Sequence, residues 1–165
     1  MVEMQLSAIR VELPSNTPVV LLQESGNGGR TLPILIGHQE ATAIAYALQG
    51  IETPRPMTHD LMKDLLVSLG VHVEGVVITE LRNGIFFAEI RMRHHGEPYI
   101  VSSRPSDAMA LAVRIGVPIY AEDELLDEEG MPLLEDNEEQ EEEVVREFQQ
   151  FIENVRPEDF APPSQ

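Results

Sequence analysis

The chain has 165 residues, of which 42% are hydrophobic, and this length is typical of one domain with a substantial core. It contains no cysteine, which excludes disulfide bonds and thiolate metal sites. The formal net charge of −18 argues against nucleic-acid binding, but it is unevenly distributed. Residues 122–165 carry 17 acidic and 2 basic side chains, whereas residues 1–121 carry 12 and 9, so the body of the protein is nearly neutral.

The start of the chain bears on where the protein is found. The stretch MVEMQLSAIRVELP carries charges where a signal peptide needs an apolar run. No stretch of the sequence reaches the length of an apolar membrane span. The sequence therefore predicts a cytoplasmic protein that makes no membrane contact.

Apolar runs predict three strands in the first part of the chain, at VEMQLSAIRVEL, PVVLLQE and TLPILIG, separated by the turn sequences PSNT and SGNGG. A helix is predicted for HQEATAIAYALQG, in which apolar residues recur at helical spacing up to Gly50. Two prolines stiffen IETPRPM. Thr58 is then predicted to cap a second helix, HDLMKDLLVSLG, which ends at Gly70.

The same order of elements follows in the second part of the chain. Strands are predicted at VEGVVITELR, IFFAEIRMR and PYIVSS, and a helix follows in SRPSDAMALAVRIG. EATAIA (40–45) aligns with DAMALA (107–112), and an internal duplication is the economical explanation; the alternative is convergent use of small residues, which let a helix lie close on a sheet. The predicted fold is α+β, with two β-β-β-α units in a mostly antiparallel or mixed sheet and a short extra strand in residues 117–121.

The acidic end of the chain is predicted to lie outside this domain. We expect a domain over residues 1–121, followed over residues 122–165 by an acidic connector and an amphipathic C-terminal helix. The segment VVREFQQFIENV places apolar side chains on one helical face: Val144, Val145, Phe148, Phe151, Ile152 and Val155. This face predicts docking on the protein's own body or on a second copy, in preference to a site for another protein. A homo-oligomer through the sheet or the C-terminal helix is expected.

The sequence SSRPSDA places polar residues immediately before the third predicted helix. Pro105 fits the first helical position, so Ser103 or Arg104 lies near the N-cap, and Ser106 and Asp107 lie in the first turn. Two interpretations remain open. Asp107 caps the helix, which spacing alone favours, or Arg104, Ser106 and free backbone N–H groups hold a phosphate. In the second case Asp107 repels the phosphate unless a metal ion or a general-acid role offsets its charge.

The sequence PRPMTHDL also allows two interpretations, a helix start with a cap or an anion-binding site. The prolines that flank Arg55 hold it in an extended backbone suited to clamping an anion. His59 and Asp60 follow at the start of the second predicted helix. Asp60 is favourable there through the helix dipole, and His59 is a candidate general base or metal ligand. A lone histidine at a helix start is nevertheless more often exposed or capping.

Glu40 occupies the position in the first predicted unit that Asp107 holds in the second. If the duplication brings the helix starts together, Glu40, Asp60 and Asp107 form a set of carboxylates able to hold one or two divalent cations. The near-neutral body also leaves room for a cationic patch. Its candidate members are Arg55, Arg82, Arg91, Arg93, Arg104 and Arg114.

Taken in order, NTPVVLL (16–22), LPILIG, PRPMTHDL (54–61), SRPSDAMALAVRIGVPIY (103–120) and EFQQFIENVRPEDF resemble the bifunctional nuclease family, bacterial and plant proteins named for proposed DNase and RNase activity. The resemblance covers nearly the whole chain. It implies a compact α+β domain, often oligomeric, with activity on phosphodiesters. The positions that it carries over are Glu40, Arg55, Thr58, His59, Asp60, Arg104, Ser106 and Asp107.

The leading hypothesis is a nuclease that acts on DNA, RNA or both. Its expected catalytic residues are His59, Asp60, Asp107 and Glu40. Asp60 and Asp107 are the expected ligands of Mg²⁺ or Mn²⁺, which would lower the pKa of a bound water, and without a metal His59 acts as the general base. The expected phosphate-binding residues are Arg55, Arg104 and Ser106.

Two alternatives from other functional classes remain. One is a non-catalytic module that binds an anion or a nucleotide, or that regulates a protein partner, at the same helix starts. The acidic tail favours it, because a nearby anionic segment opposes phosphate binding; nucleic-acid binding is accordingly expected to be weak and salt-sensitive. The other is an interaction protein whose C-terminal helix joins subunits.

Overall fold

A computed structural model describes residues 1–26 and 29–132. The described residues form an α+β unit, as predicted, with four helices and one mixed sheet of eight strands. In chain order the elements are β1 (Val2–Glu12), β2 (Thr17–Glu24), β3 (Arg30–Leu35), α1 (His38–Leu48), α2 (Thr58–Ser68), β4 (His72–Arg82), β5 (Ile85–His94), β6 (Glu97–Ser103), α3 (Pro105–Ile115), β7 (Ile119–Ala121), α4 (Asp123–Glu129) and β8 (Met131–Pro132).

The strands lie in the order β6-β5-β4-β7-β1-β2-β3-β8. Strands β1, β2 and β3 form one antiparallel meander and β4, β5 and β6 form another. The two meanders meet at β7, which runs antiparallel to β1 and parallel to β4. The short strand predicted in residues 117–121 is thereby confirmed, whereas the internal duplication stays a prediction.

Helices α1 and α3 bring small side chains against the apolar core. Helix α1 buries Ala41, Ala43, Ile44 and Ala45, and α3 buries every residue from 108 to 112. Because alanine side chains let the backbones of α1 and α3 approach closely, these two helices are in contact, and α3 also contacts α2. Helix α2 is less embedded, since His59 is its one buried residue. This packing sets the three helix starts that carry the predicted site.

The folded unit continues beyond the boundary predicted at residue 121. In α4 the side chains of Leu125 and Leu126 are buried in the core, and β8 pairs with β3. Residues 122–132 therefore belong to the folded unit and not to the predicted connector. The chain divides into two units, 1–133 and 134–165. The predicted amphipathic helix lies outside the described residues. In the described part of the chain, no helix combines the length and the apolar character needed to cross a membrane.

Candidate functional site

Three helix starts meet in one cluster of charged side chains. Asp107, in the first turn of α3, accepts hydrogen bonds from Arg104 Nε (2.7 Å) and Arg104 Nη2 (3.0 Å). The same Nη2 donates to Glu40 Oε1, in the first turn of α1, at 2.9 Å. His59 Nε2, at the start of α2, lies 3.0 Å from Asp107 Oδ1. We call Glu40, His59, Arg104 and Asp107 the helix-start cluster.

The local sequence explains the placement of Arg104. It is the N-cap of α3 with an extended backbone, φ −72° and ψ 145°, and Pro105 follows at the first helical position. Asp107 is then three residues further on, a spacing at which side chains on a helix start meet. The hydrogen bonds of Asp107 with described residues are those with the side chains of Arg104 and His59, and none is with the backbone of α3. The capping interpretation that spacing favoured for Asp107 is therefore not what the structure shows.

Exposure falls through the cluster from Arg104 to His59. The side chain of Arg104 is 66% exposed, that of Asp107 24% and that of His59 8%. Burial opposes ionisation of Asp107, but its hydrogen bonds with Arg104 and His59 prevail, and its pKa lies below the usual value. Asp107, and then Glu40, raise the pKa of Arg104. A solute thus meets a fixed cation first, with the Asp107 carboxylate and then the imidazole behind it.

Asp60 belongs to a different pair. Its Oδ1 accepts a 2.6 Å hydrogen bond from Arg114 Nε, and its Oδ2 accepts a 2.9 Å bond from the backbone N–H of Met57. Burial opposes ionisation of Asp60, but Arg114 and the Met57 N–H outweigh it and lower the pKa of the carboxyl. Met57 is the N-cap of α2, and Thr58, predicted as the cap, is the first helical residue. Asp60 therefore closes the start of α2 and joins it to α3.

Arg114 is the residue whose role the sequence did not reveal. It was predicted only as a member of a cationic patch, yet its side chain is 6% exposed and also donates to the carbonyl of Ala110. It lies seven residues after Asp107, about two helical turns, and hence on the same face of α3. His59 and Asp60 are adjacent in sequence and reach these two points on α3. The two-turn spacing between Asp107 and Arg114 was the sequence signal that could have shown that Arg114 faces the start of α2.

Of the three predicted phosphate-binding residues, Arg55 and Ser106 keep their side-chain donors available, whereas Arg104 is paired with carboxylates. Arg55 is exposed, and its side chain has no hydrogen bond or ion pair with a described residue. Ser106, in the first turn of α3, is 6% exposed, and no described residue hydrogen-bonds to its hydroxyl. The remaining members of the predicted cationic patch are paired with carboxylates: Arg82 with Glu80, Arg91 with Glu89, Arg93 with Glu74, Arg104 with Asp107 and Glu40, and Arg114 with Asp60.

The side chains present do not fit a divalent cation in this arrangement. Among residues 1–26 and 29–132, no three His, Cys, Asp or Glu side chains are grouped so as to hold a metal ion. Glu40 and Asp107 share Arg104, whereas Asp60 pairs with Arg114. The predicted Mg²⁺ or Mn²⁺ ligands, Asp60 and Asp107, therefore each face an arginine, and metal binding stays a prediction.

Comparison with known proteins shows that this sequence matches a family model and several relatives. The sequence model of the bifunctional nuclease domain matches residues 19–133. An uncharacterised protein of Mycobacterium tuberculosis is 44% identical over 163 residues, which cover 96% of this chain and 97% of that protein. Bifunctional nuclease 2 of Arabidopsis thaliana is 30% identical over 129 residues, 74% of this chain and 39% of the plant protein. Bifunctional nuclease 1 of the same plant is 26% identical over 72% of this chain and 37% of its own length.

Proposed function

This chain belongs to the bifunctional nuclease domain family, and we propose that it hydrolyses phosphodiester bonds of DNA or RNA at the helix-start cluster. One observation carries the proposal. An exposed arginine, Arg104, is hydrogen-bonded to a carboxylate, Asp107, which is in turn hydrogen-bonded to the buried imidazole of His59. This sequence of groups offers an anion clamp next to an acid–base pair, the two functions that phosphodiester hydrolysis needs.

The clamp is the first part of the proposed mechanism. Arg104 uses Nε and Nη2 to hold its carboxylates, and its Nη1 has no hydrogen bond with a described residue. The Nη1 donors are thus available to a non-bridging phosphate oxygen. Arg55 precedes the start of α2 by three residues and supplies a guanidinium that no described residue pairs with. The first turn of α3 adds the Ser106 hydroxyl and the positive end of the helix dipole.

The acid–base pair is the second part. A water attacks phosphorus while its proton passes to the Asp107–His59 pair, and a proton from the same pair goes to the leaving ester oxygen. The new P–O bond forms as the ester P–O bond breaks, which leaves a phosphate monoester and a free hydroxyl. Arg104 stabilises the charge that develops on the non-bridging oxygens. Glu40 acts as a positioning residue through its hydrogen bond with Arg104.

The experiment compares cleavage of labelled single-stranded DNA, double-stranded DNA and RNA by the wild type, Asp107→Asn and His59→Gln. Loss of one acid–base partner is expected to lower kcat/KM by about 100-fold or more. Glu80→Gln is the matched control, because it removes an arginine–carboxylate contact of 2.7 Å outside the cluster. Thermal melting checks that each variant is folded. Equal cleavage by wild type and Asp107→Asn would assign the activity to a contaminating nuclease.

The predicted metal dependence is measured in the same assay, with Mg²⁺, Mn²⁺ or EDTA. No step above depends on a cation, so cleavage in EDTA is the expected result for the cluster as arranged. Activity that requires Mn²⁺, together with loss in both Asp60→Asn and Asp107→Asn, would instead support the metal site predicted from the sequence. It would also require Asp60 to leave Arg114, its partner at 2.6 Å.

A non-catalytic anion-binding module is the second candidate. It is favoured by the ion pairs that already engage most of the predicted cations, since a site built for a polyanion usually leaves its cations free. The two candidates differ in the effect of Asp107→Asn. A binding module gains affinity for inorganic phosphate or an oligonucleotide when the competing carboxylate is removed, and no form of it cleaves. The enzyme loses cleavage in the same variant.

A further inference from the structure

Strand β6 carries an apolar surface on the side of the sheet that bears the helices. Three of its residues lie opposite residues of β5 that belong to the core: Tyr99 opposite Met92, Val101 opposite Ile90, and Ser103 opposite Ala88. Paired residues of adjacent strands project from the same face of a sheet, so these three residues of β6 face the side on which α3 contacts β5. We call Tyr99, Val101 and Ser103 the β6 shelf.

The β6 shelf is open to solvent although it faces the helix side. Tyr99 and Val101 are 50% and 48% exposed, whereas Ile90, the β5 neighbour of Val101, is 6% exposed. The described helices therefore bury this part of β5 and leave the adjacent part of β6 exposed. Residues 98–103 carry no charged side chain. The shelf thus offers an aromatic ring and an aliphatic side chain, without a fixed charge.

The β6 shelf leads directly into the helix-start cluster. Ser103 is the last residue of β6, and Arg104 follows it as the N-cap of α3. At about 3.3 Å per residue, Val101 lies about 10 Å along the strand from Arg104, and Tyr99 lies about 17 Å away. A polymer held at Arg104 by one phosphate continues on both sides of that phosphate. The shelf is therefore placed to contact the nucleotides next to the bond that is cleaved.

The charges around the cluster distinguish between the forms of nucleic acid. Of the six arginines predicted as a cationic patch, Arg55 alone has no carboxylate partner among the described residues. A duplex presents phosphates and sugars on its outside, and its binding depends on cations that neutralise several phosphates. A single strand exposes its bases, which stack on aromatic side chains. The uncharged shelf suits the bases of a single strand and offers no cation to the phosphates of a duplex.

From these observations we propose that the β6 shelf binds unpaired bases next to the cleaved phosphate, with one base stacked on Tyr99, and that the substrate is single-stranded. This inference rests on the proposed function, because it takes the helix-start cluster as the point of cleavage. Base stacking supplies the affinity that carboxylate-paired arginines do not. Every base has a flat face that can stack, so the shelf selects single strands without selecting their sequence.

The binding of two labelled single strands of equal length and charge tests this proposal. One strand carries its bases, and the other consists of abasic nucleotides. Full-length Asp107→Asn is the parent, because it is expected not to cleave. Fluorescence anisotropy is expected to show that the parent binds the base-bearing strand about 10-fold or more tightly than the abasic strand. Tyr99→Ala in this parent should remove most of the preference, and Tyr99→Phe, which keeps the ring, should retain it.

Ile100→Ala in the same parent is the matched control. Ile100 lies between Tyr99 and Val101 and is 61% exposed, but successive side chains of a strand point to opposite faces, so it is not part of the shelf. Ile100→Ala should keep the preference for bases, and thermal melting checks that each variant is folded. Equal binding of the two strands by the parent, or a preference that Tyr99→Ala keeps, overturns the proposal and leaves β6 as an edge for a protein strand.

The result for the shelf is separate from the result for cleavage. If the wild type cleaves no nucleic acid while the parent still prefers bases through Tyr99, base binding by the shelf stands and the proposed hydrolysis fails. If the wild type cleaves single-stranded and double-stranded DNA at equal rates, and Tyr99→Ala in the wild-type background does the same, the hydrolysis stands and the shelf fails.

Discussion

The carboxylate of Glu40 fills the space that a Cβ atom would occupy at Gly37. Gly37 is the N-cap of α1, and its φ of −77° is accessible to any residue, so the glycine is required for space and not for conformation. With its other oxygen, Glu40 holds Arg104 Nη2 at 2.9 Å. The Glu40 side chain thus folds back over the start of α1, and this position determines where Glu40 holds Arg104, the exposed member of the helix-start cluster.

Gly37→Ala is expected to disturb the cluster without unfolding the protein. The added methyl meets the end of a flexible side chain, so Glu40 swings away and the free energy of unfolding changes by about 1 kcal/mol or less. Arg104 then loses one of its two carboxylate partners. In an oligonucleotide cleavage assay, kcat and KM of Gly37→Ala should therefore change in the same way as those of Glu40→Gln. A normal rate in Gly37→Ala beside an impaired Glu40→Gln would contradict this coupling.

Arg55 and Arg104 are expected to differ in kinetic signature. Arg55 has no side-chain partner among the described residues, so Arg55→Ala should raise KM with little change in kcat, as expected for a group that contributes equally to substrate and transition-state binding. Arg104→Lys keeps the charge but loses the fork that spans Glu40 and Asp107, and we expect kcat/KM to fall by about 10- to 100-fold. Steady-state kinetics on one substrate separate the two. Equal effects of Arg55→Ala and Arg104→Lys on kcat would contradict the assignment.

The order of strands and helices was predictable because it is written in local patterns. Apolar alternation marked the six long strands, and α1, α2 and α3 end where glycine adopts a positive φ, at Gly50, Gly70 and Gly116. The helix starts that carry the cluster were predictable for the same reason, because proline, aspartate and glutamate are favoured in the first turn of a helix. Helix α4 was not predicted, because acidic residues surround its two leucines in the sequence. The burial of these leucines shows that the helix packs on the body of the protein.

The partners of the two aspartates could not be predicted from local sequence. Asp60 and Asp107 each lie in a first helical turn, and the helix dipole favours both equally. What separates them is the way α2 lies beside α3, so that Asp60 meets Arg114 while His59 meets Asp107. That packing depends on contacts between residues about 50 positions apart, which no local pattern encodes. The catalytic role that the sequence predicts for Asp60 stays a prediction, and its hydrogen bonds with Arg114 and the Met57 N–H lead us to expect a contribution to stability.

Substitution at the Asp60–Arg114 pair is expected to act on stability first. The Arg114 side chain is 6% exposed, so Asp60→Asn leaves a nearly buried guanidinium without its counter-ion. Because Asp60 is itself 35% exposed, we expect a loss of about 2–3 kcal/mol, below the full cost for a buried pair. Urea unfolding should show a lower midpoint with an unchanged slope. Among molecules that remain folded, cleavage per molecule should match the wild type.

The double variant Asp60→Asn, Arg114→Met separates pairing from burial. If the cost comes from the uncompensated guanidinium, the double variant is more stable than Asp60→Asn alone, because methionine fills the site without a charge. Arg114→Met alone leaves Asp60 with the Met57 N–H and partial exposure, so it should cost less than Asp60→Asn. A double variant that is less stable than either single variant would contradict this account of the pair.

Acid is expected to destabilise the protein through the same two aspartates. The folded-state pKa of both Asp60 and Asp107 lies below the ordinary value of 3.8, because hydrogen bonds with Arg114 and with Arg104 and His59 outweigh burial. A carboxyl whose pKa is lowered on folding contributes stability that is complete above its unfolded pKa, about 4, and is lost as the pH falls through the folded pKa. The free energy of unfolding should therefore be nearly flat for these groups above pH 5 and fall below pH 4.

Urea unfolding between pH 7 and pH 3 measures this dependence. Asp107→Asn cannot gain the proton, so its stability should fall less steeply below pH 4 than that of the wild type. Some slope will remain, because Glu24, paired with Arg30, and Asp123, paired with the N-terminal amine, also have lowered pKa values. Glu24→Gln should reduce the slope in the same direction without affecting cleavage. If Asp107→Asn follows the wild-type curve at every pH, the carboxylate of Asp107 gains no net stabilisation from Arg104 and His59, and the electrostatic basis of the helix-start cluster fails.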